Sequence, residues 1–148
     1  FLWQLCHNAL PSRGNLLRWG IIIDPIFPAC LAHIEDNEHL FALCPFADRV
    51  WDLALQYGWI YQAPFVTLQH TIRDVLHEWS KKCWSSMPRI AVLLWSIWKH
   101  RNSLIFQNAL PNPMKVLIRA KRHWAERKQR HPAHSIKAYL QLVQQWGI

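Results

Sequence analysis

The sequence predicts a mainly α fold: a small helical domain organised round a degenerate CCHC-like zinc knuckle and followed by long helices. Three observations predict it. Apolar residues recur at helical spacing along most of the chain, sulfur and imidazole groups are concentrated between Cys30 and Cys44, and proline and glycine punctuate helical rather than alternating patterns. With 148 residues, 51% of them apolar, the chain suits one domain able to bury a real core.

Phe1 to Leu10 is apolar round a helix, with Leu2, Leu5, Cys6 and Ala9 in one stripe, and Pro11-Ser12 stops it. Ser12 is placed to cap a second short helix carrying Leu16, Leu17 and Trp19, which Gly20 ends. A helix-turn-helix reading is set aside because the second helix offers a groove only Arg13 and Arg18. The β-branched run Ile21-Ile22-Ile23, broken by Pro25 and Pro28, predicts an extended arm entering the Cys30 to Cys44 stretch.

Structural zinc takes four nitrogen or sulfur ligands in a tetrahedron, and Cys30, His39 and Cys44 supply C-x8-H-x4-C. A first ligand three residues before Cys30 would complete C-x2-C-x8-H-x4-C, but Phe27 stands there and a phenyl ring binds no metal. His33 offers a substitute, giving C-x2-H-x5-H-x4-C. Two readings stay open: one zinc ion held with His33 as fourth ligand, or a metal-free corner in which Phe27 joins Leu40, Phe41 and Phe46 in a small apolar cluster. Glu35, Asp36 and Glu38 read as a solvated acidic loop rather than as carboxylates orienting His39, and their charge argues against this loop touching phosphate.

Pro45 suits the first turn of a helix in which Phe46, Val50, Leu53 and Tyr57 form a stripe and which Gly58 closes. After a connector containing Pro64, Thr67 is placed to cap a helix buried through Leu68, Ile72, Val75, Leu76 and Trp79. His70, Asp74, His77 and Glu78 lie on its wet side without a metalloprotease or triad pattern, so no catalytic role is assigned. The longest helix runs from Ser85 or Pro88 to Phe106 on Ile90, Leu93, Leu94, Ile97 and Trp98, with Lys99, His100, Arg101 and Asn102 breaking its apolar run. It is expected to pack against the Phe46 to Tyr57 helix. Pro111 and Pro113 mark a linker before a basic helix, Met114 to Arg130, and Ser135 is placed to cap a last helix carrying Ile136, Tyr139, Leu140, Val143 and Trp146. Most of the ten tryptophans fall at core spacing, which favours packing over base stacking.

The motifs resemble a known family. The stretches Phe1 to Ile21, and Cys30 with Glu38-His39-Leu40-Phe41 and Cys44-Pro45-Phe46-Ala47, are similar, in order, to the reverse-transcriptase zinc-binding domain of plant non-LTR (LINE-type) retroelements, and Leu93 to Phe106 (LLWSIWKHRNSLIF) is similar to the W-x-x-W-K-x-R-N-x-x-x-F helix that follows it in these polyproteins. Phe27 occupies that family's first cysteine position. The resemblance implies a reverse-transcriptase zinc-binding-like domain over residues 1–66 with its knuckle at 27–44, a helical extension with the W-x-x-W-K-x-R-N motif over 67–110, and a basic linker helix with a C-terminal helix over 111–148. It also implies one zinc ion, neighbouring reverse transcriptase and RNase H domains in a parent polyprotein, and a nuclear or cytoplasmic location rather than secretion.

Charge indicates the partner. Of seventeen Lys and Arg, eight lie between Lys115 and Lys137, against the single acid Glu126, so nearly all of the formal +8 belongs to the C-terminal part. Lys115, Arg119, Lys121, Arg122, Arg127, Lys128 and Arg130 are the candidates for contact with an RNA or DNA backbone. No membrane partner and no small-molecule substrate are expected: no apolar run approaches a bilayer span, and no secretory leader pattern is present. The four cysteines read as free thiols or metal ligands rather than a disulfide framework. The start at Phe1 reads as a fragment of a longer product, and without a Y-x-D-D-like turn the fragment reads as non-catalytic. The expected role is a nucleic-acid-binding accessory module; the alternatives are a structural or protein-interaction helical domain and a decayed retroelement fragment without activity.

Overall fold

Burial of the apolar stripes read above orders the helices of the computed structural model, which describes residues 1–62, 71–82 and 84–130. Among these the chain forms α1 (Leu2–Cys6), α2 (Arg13–Arg18), α3 (Pro45–Gln56), α4 (Ile72–Lys82), α5 (Met87–Gln107) and α6 (Pro113–Arg130). A π-turn, His39–Leu43, leads into α3, and a 3-10 turn, Trp84–Ser86, leads into α5. The mainly helical expectation is met. The expected cap Thr67, His70, Cys83 and the helix expected from Ser135 to Trp146 lie outside the described residues.

Helix ends follow local chemistry. Ser12 Oγ accepts the Asn15 amide at 3.3 Å and caps α2, and Pro45 occupies the first turn of α3. At α4 the cap is reciprocal: Thr71 Oγ1 accepts the Asp74 amide at 3.2 Å, and Asp74 Oδ2 accepts the Thr71 amide at 3.1 Å. Asn112 Oδ1 accepts the Lys115 amide at 3.0 Å at the start of α6. Asn108, at φ +49°, turns the chain out of α5 in the left-handed region that asparagine tolerates.

One hydrophobic core runs from Leu2 to Ala120 and corrects two expectations. The basic helix is no linker: α6 packs against both α5 and α3, burying Val116, Leu117 and Ala120. Its cations dominate the composition, but they flank an apolar stripe wide enough to seat the helix. The expected packing of α5 on α3 is therefore shared with α6, while Phe46 of α3 stacks directly on His100 of α5, ring centroids 5.4 Å apart. The second correction concerns α2. Leu17 and Trp19 are exposed, and the buried residue of α2 is Asn15, whose Nδ2 donates to the Leu10 carbonyl at 2.8 Å. A six-residue helix lying on loop backbone meets carbonyls that need donors, so an amide serves there better than an apolar side chain. Tyr57, past the end of α3, is also exposed rather than part of the α3 stripe.

The tryptophans mostly pack. Trp51, Trp59 and Trp98 are buried, and Trp79, Trp95 and Trp124 lie partly buried against the core. Trp51 Nε1 donates to the Phe41 carbonyl at 2.8 Å, and Trp124 meets Trp59 edge to face at 6.2 Å, fastening α6 to the end of α3. Trp3 and Trp19 are exposed. No helix among the described residues is long and apolar enough to cross a membrane.

Candidate metal centre

Three short segments converge to build the site. The arm folds back as a narrow hairpin: Ile26 pairs antiparallel with Ile34, the Phe27 amide donates to the His33 carbonyl at 2.9 Å, and the Glu35 amide donates to the Pro25 carbonyl at 2.8 Å. Cys30 sits in the turn, beside Leu31 at φ +56°. Asp36 Oδ1 then accepts the His39 amide at 2.7 Å and starts the π-turn that brings His39 inward. The Cys44 amide closes that turn on the His39 carbonyl at 2.8 Å, which leaves Cys44 as the N-cap of α3.

Hairpin turn, π-turn and helix cap thus place the ligand atoms of Cys30, His39 and Cys44 within 4.8 Å of one another. Cys30 Sγ lies 3.2 Å from His39 Nε2. Zinc at about 2.3 Å from sulfur and about 2.0 Å from nitrogen needs tetrahedral donors roughly 3.5–4 Å apart, so the trio fits three corners of such a site. The cysteines Cys6, Cys30 and Cys44 are free thiols, as the sequence suggested.

Burial acts oppositely on the two kinds of donor, favouring the neutral imidazole and opposing the thiolate. Burial raises the Cys44 thiol to about 11, while the backbone amides of Phe46 and Ala47, in the first turn of α3, act in the opposite direction and favour the thiolate. Burial first, then the neighbouring His33, holds His39 below the ordinary imidazole value, against an opposing pull from Asp36. The neutral imidazole is the ligating form, whereas the thiols release protons as metal binds.

Of the two readings left open by the sequence, the structure shows the packing of Phe27 and leaves His33 outside the trio. Phe27 is fully buried in the same core as Leu40, Phe41 and Phe46, and its ring stands edge-on to His39 at 6.1 Å. His33 is exposed and lies outside the trio, with its ring centroid 5.1 Å from that of His39.

The acidic loop requires a correction. Glu35 is 0% exposed, and its Oε1 accepts from Arg101 Nε at 2.9 Å, from Arg101 Nη2 at 2.5 Å and from the Arg13 amide at 3.0 Å. Arg101 is itself buried, with its guanidinium 4.8 Å from the Trp98 ring centroid, so it does not break the apolar run of α5 toward solvent. His100 beside it is buried as well. Gly14 completes the joint: its amide donates to the Glu35 carbonyl at 3.0 Å, and a Cβ there would stand 2.9 Å from that oxygen. Asp36 bonds the backbone of His39 rather than its ring. Sequence reading missed Glu35, Arg101, Gly14 and the buried Asn37, whose Nδ2 donates to the Leu5 carbonyl at 3.2 Å. One signal was available: an arginine inside an apolar helix needs a carboxylate, and the chain has only nine acids to offer.

The candidate phosphate ligands divide by burial. Lys115, Arg122, Arg127, Lys128 and Arg130 are exposed on α6, whereas Arg119 and Lys121 are half-buried. Lys121 Nζ lies 5.2 Å from the Tyr57 ring centroid, and Arg122 reaches Glu126 at 3.9 Å. In α4, Glu78 pairs with Lys82 at 3.1 Å and Asp74 caps the helix, both ordinary uses for residues given no catalytic role.

Comparison with known proteins agrees with this geometry. The model of a family described as zinc-binding in reverse transcriptase matches residues 1–51, a range that contains all three donors. No curated protein and no solved structure matches the chain. In residues 1–51, where Cys30, His39 and Cys44 are gathered, the chain is therefore similar to the family of zinc-binding segments in reverse transcriptase.

Proposed function

We propose that the chain is a non-catalytic accessory segment of a LINE-type retroelement reverse transcriptase, which holds one zinc ion at its knuckle and binds an RNA or DNA backbone through α6. The observation that carries the proposal is the convergence of Cys30, His39 and Cys44 within the family-matched segment. Bound zinc would supply a closed-shell, redox-inert clip; Cys30, His39 and Cys44 would hold it, tying the hairpin turn and the π-turn to the start of α3. Support for nucleic-acid contact comes from seven Lys and Arg against one acid on α6. Burial of Val116, Leu117 and Ala120 keeps these cations on a fixed scaffold rather than a free tail.

Titration of the full chain against single-stranded RNA and duplex DNA at salt concentrations from about 50 to 200 mM tests the second half of the proposal. The expected result is binding that weakens steeply with salt, with Lys115→Ala, Arg122→Ala, Lys128→Ala and Arg130→Ala each flattening the slope by about one unit. Half-burial of Arg119 and Lys121 favours a second reading, a structural or protein-interaction domain packed between enzymatic neighbours. Absence of binding at low salt would decide for that reading.

A further inference from the structure

We infer that His33 is the fourth zinc ligand, completing a site of two cysteines and two histidines in which an imidazole from across the hairpin takes the place of the donor that Phe27 cannot be. The inference rests on the zinc reading of Cys30, His39 and Cys44.

Three donors leave one tetrahedral corner open, and a structural zinc site is normally closed by four protein ligands. Two neighbouring carboxylates have bonds of their own. Glu35 is paired with Arg101, and Asp36 holds the His39 amide. The hairpin then decides where a donor can come from. Positions 27 and 33 stand opposite one another across it, joined by the Phe27 amide and the His33 carbonyl, and each is three residues from Cys30 in the turn. Side chains alternate along a strand, so these two share one face while the paired Ile26 and Ile34 share the other. The shared face is the one toward His39, whose ring centroid lies 6.1 Å from that of Phe27 and 5.1 Å from that of His33.

Phe27 is locked in the core, but His33 is exposed, so its ring can rotate toward the trio without displacing packed atoms. Two thiolates and two neutral imidazoles also balance the charge of Zn²⁺. That net neutrality suits a corner in which His39 and Cys44 are buried and Cys30 half-buried.

Cobalt(II) serves as the probe, because its visible bands report coordination and its near-ultraviolet band reports the number of bound thiolates. The full-length chain is titrated with Co²⁺ and then displaced with Zn²⁺ against a chromophoric chelator. Loss of a group that merely supports a ligand costs about 10–100-fold in metal affinity, so His33→Ala should weaken binding by at least about tenfold and shift the visible bands. His33→Cys should restore affinity and raise the thiolate band by about half, as two sulfur ligands become three. Because position 33 is exposed, neither variant should change the far-ultraviolet circular dichroism. If His33→Ala leaves affinity and visible bands unchanged while Cys30→Ala abolishes binding, His33 is no ligand and the zinc reading survives without it. If the unaltered chain takes up neither Co²⁺ nor Zn²⁺, both fall together.

Discussion

The knuckle corner and the α5–α6 hairpin are held by opposite means. Between Ile21 and Cys44 the backbone is irregular, with one isolated bridge, a left-handed Leu31 and a π-turn, and it leaves Ile22, Leu31 and Ile34 exposed. From Met87 to Arg130 two regular helices bury Ile90, Leu93, Leu94, Ile97, Val116, Leu117 and Ala120. Donor atoms and polar bonds shape the first region, and apolar area shapes the second. Glu35 and Arg101 join them, setting the hairpin and α2 on the side of α5. The first region has Phe27, Leu40 and Phe41 as its buried apolar anchors and depends more on its ligands, whereas the second should tolerate their loss.

The largest expected effect strikes the joint. Arg101→Ala strands the buried carboxylate of Glu35 and should cost about 3–5 kcal/mol in urea unfolding. Replacing both partners, Glu35→Leu with Arg101→Met, should recover most of that loss; a double variant as unstable as the single one would show that the pair is not the joint. Next comes the hairpin itself. Leu117→Ala should cost about 2–5 kcal/mol, by the same amount with zinc or with chelator, because α6 carries none of the three donors. A loss that depends on metal would merge the two regions.

Acid should act on both regions through their histidines. His100 Nε2 accepts the Asn112 amide at 3.1 Å, and burial first, then Arg119 and Lys115, hold its pKa below the usual 6.5. The unfolded chain therefore takes up the proton first, so stability is intact above 6.5 and declines as pH falls below it. His39 is shifted in the same direction, so in metal-free protein His100→Gln should remove part of the acid dependence of the thermal midpoint, not all of it. An unchanged slope would contradict the assignment. The smallest effect belongs to the outer face of α6: Arg122→Ala and Lys128→Ala should change stability by no more than about 0.5 kcal/mol while weakening nucleic-acid binding.

What the sequence disclosed follows the same division. Helices with periodic apolar stripes, such as those centred on Val50, Leu93 and Leu117, were legible because burial imposes their spacing. The trio was legible because ligand chemistry restricts both residue type and separation. Pairings that depend on tertiary geometry were not. Glu35 looks like any loop carboxylate until Arg101, sixty-six residues away, is brought against it, and Asn15 looks like a surface amide until the Leu10 carbonyl needs a donor. The seating of α6 was obscured for another reason: its charges outnumber its apolar residues, although Val116, Leu117 and Ala120 are enough to bury one side.

Metal content of the purified full-length chain, read together with its thermal midpoint before and after chelation, tests the central claim most directly. The account predicts one zinc per chain, lost in Cys30→Ala and Cys44→Ala, and a lower midpoint once the ion is removed. A chain that binds no zinc and melts at the same temperature with and without chelator would contradict it.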